Sequence, residues 1–107
     1  MANYYFQSLF YYAKSKDLVN GESIDNFLIN KDLRLETSLK LNNLANTHEQ
    51  KKWAIEFALG KYVNGEFNNE FQDYNNGNLN IIEFYNKLGF NKNKIKKFLK
   101  KIKKINS

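Results

Sequence analysis

The spacing of apolar residues predicts that this chain is built from α-helices, beginning with an aromatic helix over residues 4–17. Its apolar positions form two adjacent stripes at helical spacing, which are Phe6, Phe10 and Ala13 on one side and Tyr5, Leu9 and Tyr12 on the other. A helix that is apolar on two stripes is either buried in a core or forms half of an interface. The pattern favours a core helix and leaves open a homodimer interface rich in Tyr and Phe.

Two segments that follow have more mixed patterns. Residues 23–31 predict a short helix with Ile24, Phe27 and Leu28 on one face. The next apolar residues fit strand alternation in part and helical spacing in part, and they are Leu33, Leu35, Leu39, Leu41 and Leu44. We predict a helix for this stretch, with a short β-wing around residues 33–45 as the alternative.

A clearer helix signal begins at Thr47. Thr47 and Gln50 are spaced as in a capping box, in which each side chain satisfies a free backbone amide near the helix start. The helix predicted from this point runs to about Val63 and carries apolar residues on two faces. A short helix over residues 67–74 is predicted to follow it.

Three Asn-Gly pairs, at residues 20–21, 64–65 and 76–77, are predicted to separate these helices. Glycine adopts the left-handed backbone conformation that commonly ends a helix, and the flanking residues lack the alternation expected of a β-hairpin. The tetrapeptide Val-Asn-Gly-Glu occurs at both 19–22 and 63–66, but too little else aligns at that offset to indicate a duplication.

The C-terminal part of the chain predicts a pair of helices joined by a tight turn. Asn80 and Glu83 have the spacing of an N-cap and its acidic partner, and Gly89 is placed to end the first helix. After Phe90, Asn91 is the expected N-cap of the second helix. That helix has one continuous apolar stripe, formed by Ile95, Phe98, Leu99, Ile102 and Ile105.

Charge is distributed unevenly along the chain, whose formal net charge is +6. Residues 1–86 contain 8 basic and 11 acidic residues, whereas residues 87–107 contain nine lysines and no acidic residue. The nine are Lys87, Lys92, Lys94, Lys96, Lys97, Lys100, Lys101, Lys103 and Lys104. Such asymmetry predicts a polyanionic partner. Nucleic acid is favoured, and a solvated lysine face or an anionic membrane surface is the alternative.

The C-terminal helix pair resembles the helix-turn-helix motif of DNA-binding proteins over residues 80–105. Its apolar and glycine positions are occupied in register by Phe84, Leu88, Gly89, Phe90, Ile95 and Phe98. Residues 76–85 also resemble the approach to this motif in the C-terminal DNA-binding domains of bacterial serine recombinases, where a short helix precedes the pair. One position departs from the family: Tyr85 stands where the motif usually has Ala, which lets the two helices cross closely.

The resemblance implies that the second helix lies in the major groove and presents its N-terminal residues to base edges. Asn can bond adenine through both atoms of its side-chain amide, and Lys can reach guanine. The predicted DNA-binding residues are Asn91, Lys92, Asn93, Lys96, Lys97, Lys100, Lys101 and Lys104. Among these, Lys92 and Asn93 are the best candidates for base contacts. Lys96, Lys97 and Lys100 suit either a base or a phosphate. The lysines predicted to contact phosphates are Lys87, Lys101, Lys103 and Lys104.

Catalytic and metal sites are difficult to build from this sequence. The chain has no cysteine, and its one histidine, His48, falls in the predicted capping segment. Glu66, Glu70 and Asp73 share a helical face, for which solvation is a simpler explanation than metal binding. No apolar run approaches the about 20 residues that span a bilayer. We therefore expect a non-enzymatic, cytoplasmic protein with no catalytic residue, metal, cofactor or membrane partner.

These patterns together predict an all-α single domain of five or six helices. Residues 1–64 are expected to form a helical core and oligomerisation half, and residues 66–107 the DNA-binding half. The predicted function is sequence-specific binding of double-stranded DNA by a homodimer that associates through its N-terminal aromatic helix. A transcriptional regulator and an accessory DNA-processing factor of a plasmid, phage or transposon fit equally well.

Asn, Lys, Ile, Tyr and Phe, whose codons are A/T-rich, are abundant in the chain, as is typical of a low-GC bacterium. The alternative function is that of a small helical protein-binding module, such as an immunity protein, an antitoxin or a phage-encoded inhibitor. In that case the basic helix would be a solvated face or would contact the partner.

Overall fold

A computed structural model describes the backbone of residues 4–106 and the side chains of residues 4–103. Within this part of the chain the regular structure consists of seven α-helices and no strand. They are α1 (Tyr4–Ser15), α2 (Ile24–Ile29), α3 (Lys31–Leu44), α4 (His48–Leu59), α5 (Asn68–Asn75), α6 (Ile81–Lys87) and α7 (Lys92–Asn106). The predicted all-α class is confirmed, with seven helices in place of five or six.

The leucine-rich stretch around residues 33–45 lies in α3, so the β-wing considered for it is wrong. Asn30 begins this helix, because its side chain accepts a hydrogen bond from the backbone amide of Leu33 at 3.0 Å. Leu35 and Leu39, one helical turn apart, are both buried. Helical spacing therefore explains the leucine pattern better than partial alternation does.

The chain divides into two units, Met1–Tyr62 with α1 to α4 and Val63–Ser107 with α5 to α7. In the first unit, α4 packs against both α1 and α3, and α2 packs against α3. Its core contains Phe6, Leu9, Phe10, Ala13, Val19, Phe27, Leu41, Ala54 and Phe57. The Phe57 ring is central, with ring centroids 5.1 Å from Phe6 and 5.4 Å from Phe27. The aromatic helix α1 is thus a core helix.

Arg34 on α3 connects the ends of two other helices. Its Nε donates to the carbonyl of Ala58 at 3.1 Å, and its Nη1 donates to the carbonyls of Phe27 at 2.9 Å and Leu28 at 2.7 Å. These carbonyls lie in the last turns of α4 and α2, where backbone acceptors lack partners within their own helix. The planar guanidinium holds its donors on separate nitrogens in a fixed fork, which suits carbonyls from two helices better than the single ammonium nitrogen of a lysine does.

Helix α4 begins where predicted and ends earlier than predicted. The Thr47 hydroxyl accepts from the amide of Gln50 at 3.1 Å, while the Gln50 side chain accepts from the amide of Asn46 at 2.6 Å. The reciprocal bond of the predicted capping box is therefore displaced by one residue. The helix ends at Leu59 instead of Val63, because Gly60 adopts a left-handed conformation with φ 73°.

The three Asn-Gly pairs lie between helices, as predicted. Two of them form a four-residue β-turn instead of the glycine that directly ends a helix. In residues 19–22 and 63–66 both central residues have positive φ, 49° and 79° in the first segment and 47° and 82° in the second. In each segment the Glu amide donates to the Val carbonyl, at 2.8 and 2.9 Å. This is the type I′ geometry of β-hairpins, used here without strands. The third pair, at 76–77, follows the end of α5.

Candidate nucleic-acid interface

The second unit is built around the pair α6 and α7, with α5 packed against α6. Its buried apolar residues are Val63, Phe84, Tyr85, Leu88, Phe90, Ile95, Phe98 and Ile102. Two aromatic contacts connect α5 to α6: the Tyr74 ring stacks on Phe84 with centroids 4.5 Å apart, and Phe71 lies 6.4 Å from the same ring. These contacts give the basic helix α7 a scaffold of two preceding helices.

The start of α6 is a complete capping box, as predicted. The Asn80 side chain accepts from the amide of Glu83 at 2.8 Å, and the Glu83 carboxylate accepts from the amide of Asn80 at 3.0 Å. Two backbone donors that have no intrahelical partner are thereby satisfied. The helix is only seven residues long, so a well-defined start contributes a large part of its local stability.

The connection between α6 and α7 is a tight glycine turn. Gly89 has φ 109°, its amide donates to the carbonyl of Asn86 at 3.0 Å, and the amide of Phe90 donates to the carbonyl of Tyr85 at 3.2 Å. This pair of bonds defines a Schellman motif, in which an apolar residue after the glycine packs back onto the helix. Phe90 is buried and its ring lies 6.3 Å from Tyr85.

Substitution of Gly89 is expected to lower the free energy of unfolding, least for Asn, more for Ala and most for Val. A Cβ at this position would meet no atom within 4 Å, so the cost is conformational, about 1–2 kcal/mol for Ala. Asn tolerates positive φ better than Ala, and Val tolerates it least. Urea denaturation followed by circular dichroism measures the order. Equal stability of the Ala variant and the unsubstituted protein would contradict the strained turn.

Tyr85, the residue that departs from the helix-turn-helix pattern, is fully buried. Its ring packs between Phe84, at 5.7 Å, and Phe90, at 6.3 Å. The aromatic ring therefore fills the space next to the turn, where the family pattern has a small residue. The sequence pattern alone left the direction of this side chain open.

Asn91 caps the start of α7. Its side-chain oxygen accepts from the backbone amides of Asn93 at 2.9 Å and Lys94 at 3.1 Å. This confirms the predicted N-cap and limits the second role predicted for Asn91. Because the oxygen is already bonded to the helix, Asn91 cannot bond adenine through both atoms of its amide.

The predicted DNA-binding side chains lie outside the apolar stripe of α7. Ile95, Phe98 and Ile102 are buried and Leu99 is half-buried. The predicted residues whose side chains the structure describes are all exposed, and they are Asn91, Lys92, Asn93, Lys96, Lys97, Lys100 and Lys101. The side chain of Lys104, and that of Ile105 in the predicted stripe, lies outside the described residues. Lys87 and Lys103, predicted as phosphate contacts, are also exposed, as is Lys94, to which no role was assigned.

Positions on the outer face of α7 follow from its period of 100° per residue. Asn93, Lys97 and Lys100 fall on the line opposite the buried stripe. Lys97 and Lys101 also lie beside the Phe98 ring, with Nζ 5.9 and 5.8 Å from its centroid. Their ammonium groups therefore lie within the distance of a cation–π contact with this ring. Spacing in the sequence places Lys104 on the line of Lys97 and Lys100.

The two units differ in net charge. Residues 1–62 contain eight basic and seven acidic residues, so the first unit is nearly neutral. The second unit combines the nine lysines with four acidic residues, which are Glu66, Glu70, Asp73 and Glu83. All four precede α7 in the chain. The excess positive charge of the protein therefore belongs to the unit that contains the helix pair.

The residues considered in the sequence for catalytic or metal sites lie at the surface and do not form a cluster. His48 is exposed in the first turn of α4, and Glu66 and Asp73 are exposed near α5. Among the described residues, no group of three or more His, Asp or Glu side chains could hold a metal ion. Over the same residues, no helix is both long enough and apolar enough to cross a bilayer.

In comparisons of this chain with protein-family models, curated proteins and solved structures, no match was found.

Proposed function

We propose that this protein binds double-stranded DNA, with α7 in the major groove and α6 positioning it. The observation that carries the proposal is the division of α7 into two faces. Its apolar residues are buried, while its described lysines and asparagines are exposed. A row of basic side chains on a helix held by its other face is the electrostatic footprint of nucleic-acid binding.

The charges on α7 oppose the intrinsic preferences of a helix, which supports a function for them. Its first turn contains no acidic residue, although acidic side chains stabilise a helix N-terminus and basic ones do the opposite. Lys96 and Lys100, like Lys97 and Lys101, are like charges four residues apart, a spacing that costs a few tenths of a kcal/mol per pair. Local conflicts of this kind concentrate at functional sites. A bound polyanion would relieve them.

The proposed roles follow from position along α7. Asn93 has the amide that can read adenine, because it lies near the N-terminus on the outermost line of the helix. Lys92 is placed to contact an adjacent base. Lys97 and Lys100 continue the outer line and are assigned to phosphates. Asn91 contributes through the cap that orients the first turn.

A homodimer forms part of the proposal, because helix-turn-helix proteins read two half-sites through two copies. Both apolar stripes of α1 pack within the first unit, so the aromatic residues of this helix that remain for a partner are Tyr4 and Tyr11, 76% and 63% exposed. Regulation of transcription and an accessory role in DNA processing are both compatible with such a dimer.

Selection from a pool of random duplexes tests sequence-specific recognition. The unsubstituted protein is expected to enrich one short motif, and Asn93→Ala is expected to lose the preference for adenine at one position of it. The loss of one bidentate base contact costs about 1–3 kcal/mol at that position. Asn43→Ala, an exposed Asn on α3, is the matched control and should enrich the original motif.

Two outcomes would count against this function. Enrichment of the same motif by the Asn93 variant would show that Asn93 does not contact a base. Absence of any enriched motif, together with no shift of genomic DNA fragments at low salt, would instead favour a helical module that binds an acidic protein.

A further inference from the structure

The first unit contains a small aromatic pocket that the proposed DNA interface does not use. It has a volume of about 210 Å³ and is lined by Tyr5, Ser8, Leu9, Tyr12 and Trp53. The first four residues occupy positions i, i+3, i+4 and i+7 of α1, so they form one stripe of that helix. Trp53, on α4, completes the lining. Three aromatic rings therefore line a half-open space smaller than a typical drug-sized site.

The rings are held in place by contacts with one another and with residues outside the pocket. Tyr12 and Trp53 meet edge to face, with centroids 5.1 Å apart, and Tyr5 meets Tyr62 in the same way at 5.0 Å. The Tyr5 hydroxyl donates to the carboxylate of buried Glu56 at 2.5 Å. A ligand would thus meet rings that are already oriented, which lowers the entropic cost of binding.

Two charged groups lie beside the lining rings. The ammonium of Lys16, four residues further along the chain, lies 5.8 Å from the Tyr12 ring centroid. The Glu56 carboxylate accepts the hydrogen bond of the Tyr5 hydroxyl, and burial together with this contact raises the pKa of Tyr5. Because aromatic rings attract cations, the lining suits a cationic ligand.

We propose that this pocket binds a small quaternary ammonium compound of the choline type. Such a cation has an apolar surface that matches the lining and a charge that the ring faces stabilise. The volume admits a head group and few further atoms. A zwitterion with its own carboxylate is disfavoured, because the Glu56 carboxylate beside Tyr5 would repel it. The ammonium of Lys16 is a competitor for the Tyr12 ring.

Fluorescence of Trp53 reports directly on this site, because it is the only tryptophan of the chain. Titration with tetramethylammonium chloride or choline chloride should give a saturable change with a Kd on the order of 1 mM. Sodium chloride at equal ionic strength should give no saturable change. The neutral analogue 3,3-dimethylbutan-1-ol, in which carbon replaces the nitrogen of choline, should bind about tenfold more weakly. Glycine betaine should also bind more weakly than choline.

Variants connect the signal to the pocket. Tyr12→Leu should abolish binding, whereas Tyr5→Phe keeps the ring and should retain it. Lys16→Gln, a change at an exposed residue, should strengthen binding by removing the competing ammonium, and it tests the proposal even if the Tyr12 variant fails to fold. Equal affinity for choline and its neutral analogue, a Lys16→Gln variant with unchanged affinity, or no saturable response at all would overturn the proposal.

Discussion

Replacing Lys97 and Lys100 together with Gln is expected to weaken binding to duplex DNA by roughly 60-fold at about 0.1 M salt. Each phosphate that a lysine neutralises contributes about 0.9 to the slope of log affinity against log salt, so two lost contacts remove about 1.8 log units at this concentration. Both side chains are exposed and lie opposite the buried stripe, so the fold should be unaffected. Fluorescence anisotropy of a labelled duplex measures the change.

The matched control is Lys14→Gln with Lys16→Gln. Both residues are exposed on the first unit, and the double substitution removes the same charge as the Lys97 and Lys100 pair. We expect it to change affinity by less than about threefold, since neither lysine belongs to the helix pair that carries the proposed interface. Equal weakening by the two pairs would show that net charge, and not the outer face of α7, determines binding.

Replacing Phe57 with Ala is expected to lower the free energy of unfolding by about 3–5 kcal/mol. Phe57 is fully buried, and its ring meets Phe6 from α1 and Phe27 from α2. The substitution therefore opens a cavity where three helices meet. Because domains are typically stable by only about 5–15 kcal/mol, this is a large fraction of the total. Urea denaturation followed by circular dichroism measures it.

Ile29→Ala provides the comparison for this experiment. It also removes an apolar side chain from the first unit, but Ile29 is 84% exposed, so the expected change is within about 0.5 kcal/mol. A Phe57→Ala variant that loses no more stability than the Ile29 variant would contradict the core described for the first unit.

Local hydrogen bonding explains why most helix starts could be predicted from the sequence. Thr47, Asn80 and Asn91 each accept from a backbone amide two or three residues ahead. Such a bond depends on residues that are close in the chain, so a short motif specifies it. The Gly89 turn was predictable for the same reason, since its bonds return to Tyr85 and Asn86.

Contacts between distant residues explain what the sequence could not show. Arg34 bonds a carbonyl 24 residues away, and the hydroxyl of Tyr5 bonds Glu56, 51 residues away. Burial of Glu56 on a helix of mixed composition has no periodic signal. Leu28 was predicted on an apolar face and is exposed, because the face of a six-residue helix is set by its neighbours more than by its own pattern.

The candidate site was predictable in outline because one stripe determines both faces of α7. Burial of Ile95, Phe98 and Ile102 leaves the lysines between them outside. The commitment of the Asn91 oxygen to the cap was the part that residue type could not reveal, since Asn suits both a cap and an adenine. The aromatic pocket was also missed, because it requires Trp53 of α4 to face the stripe of α1.

The salt dependence of duplex binding by the unsubstituted protein tests the central claim most directly. If α7 neutralises ~5 phosphates, log affinity should fall against log salt with a slope of about −4.5. The measurement is anisotropy of a labelled random-sequence duplex over a series of sodium chloride concentrations. A slope of this size would support an interface formed by the lysine face of α7. An affinity that barely changes with salt would contradict DNA binding by this helix.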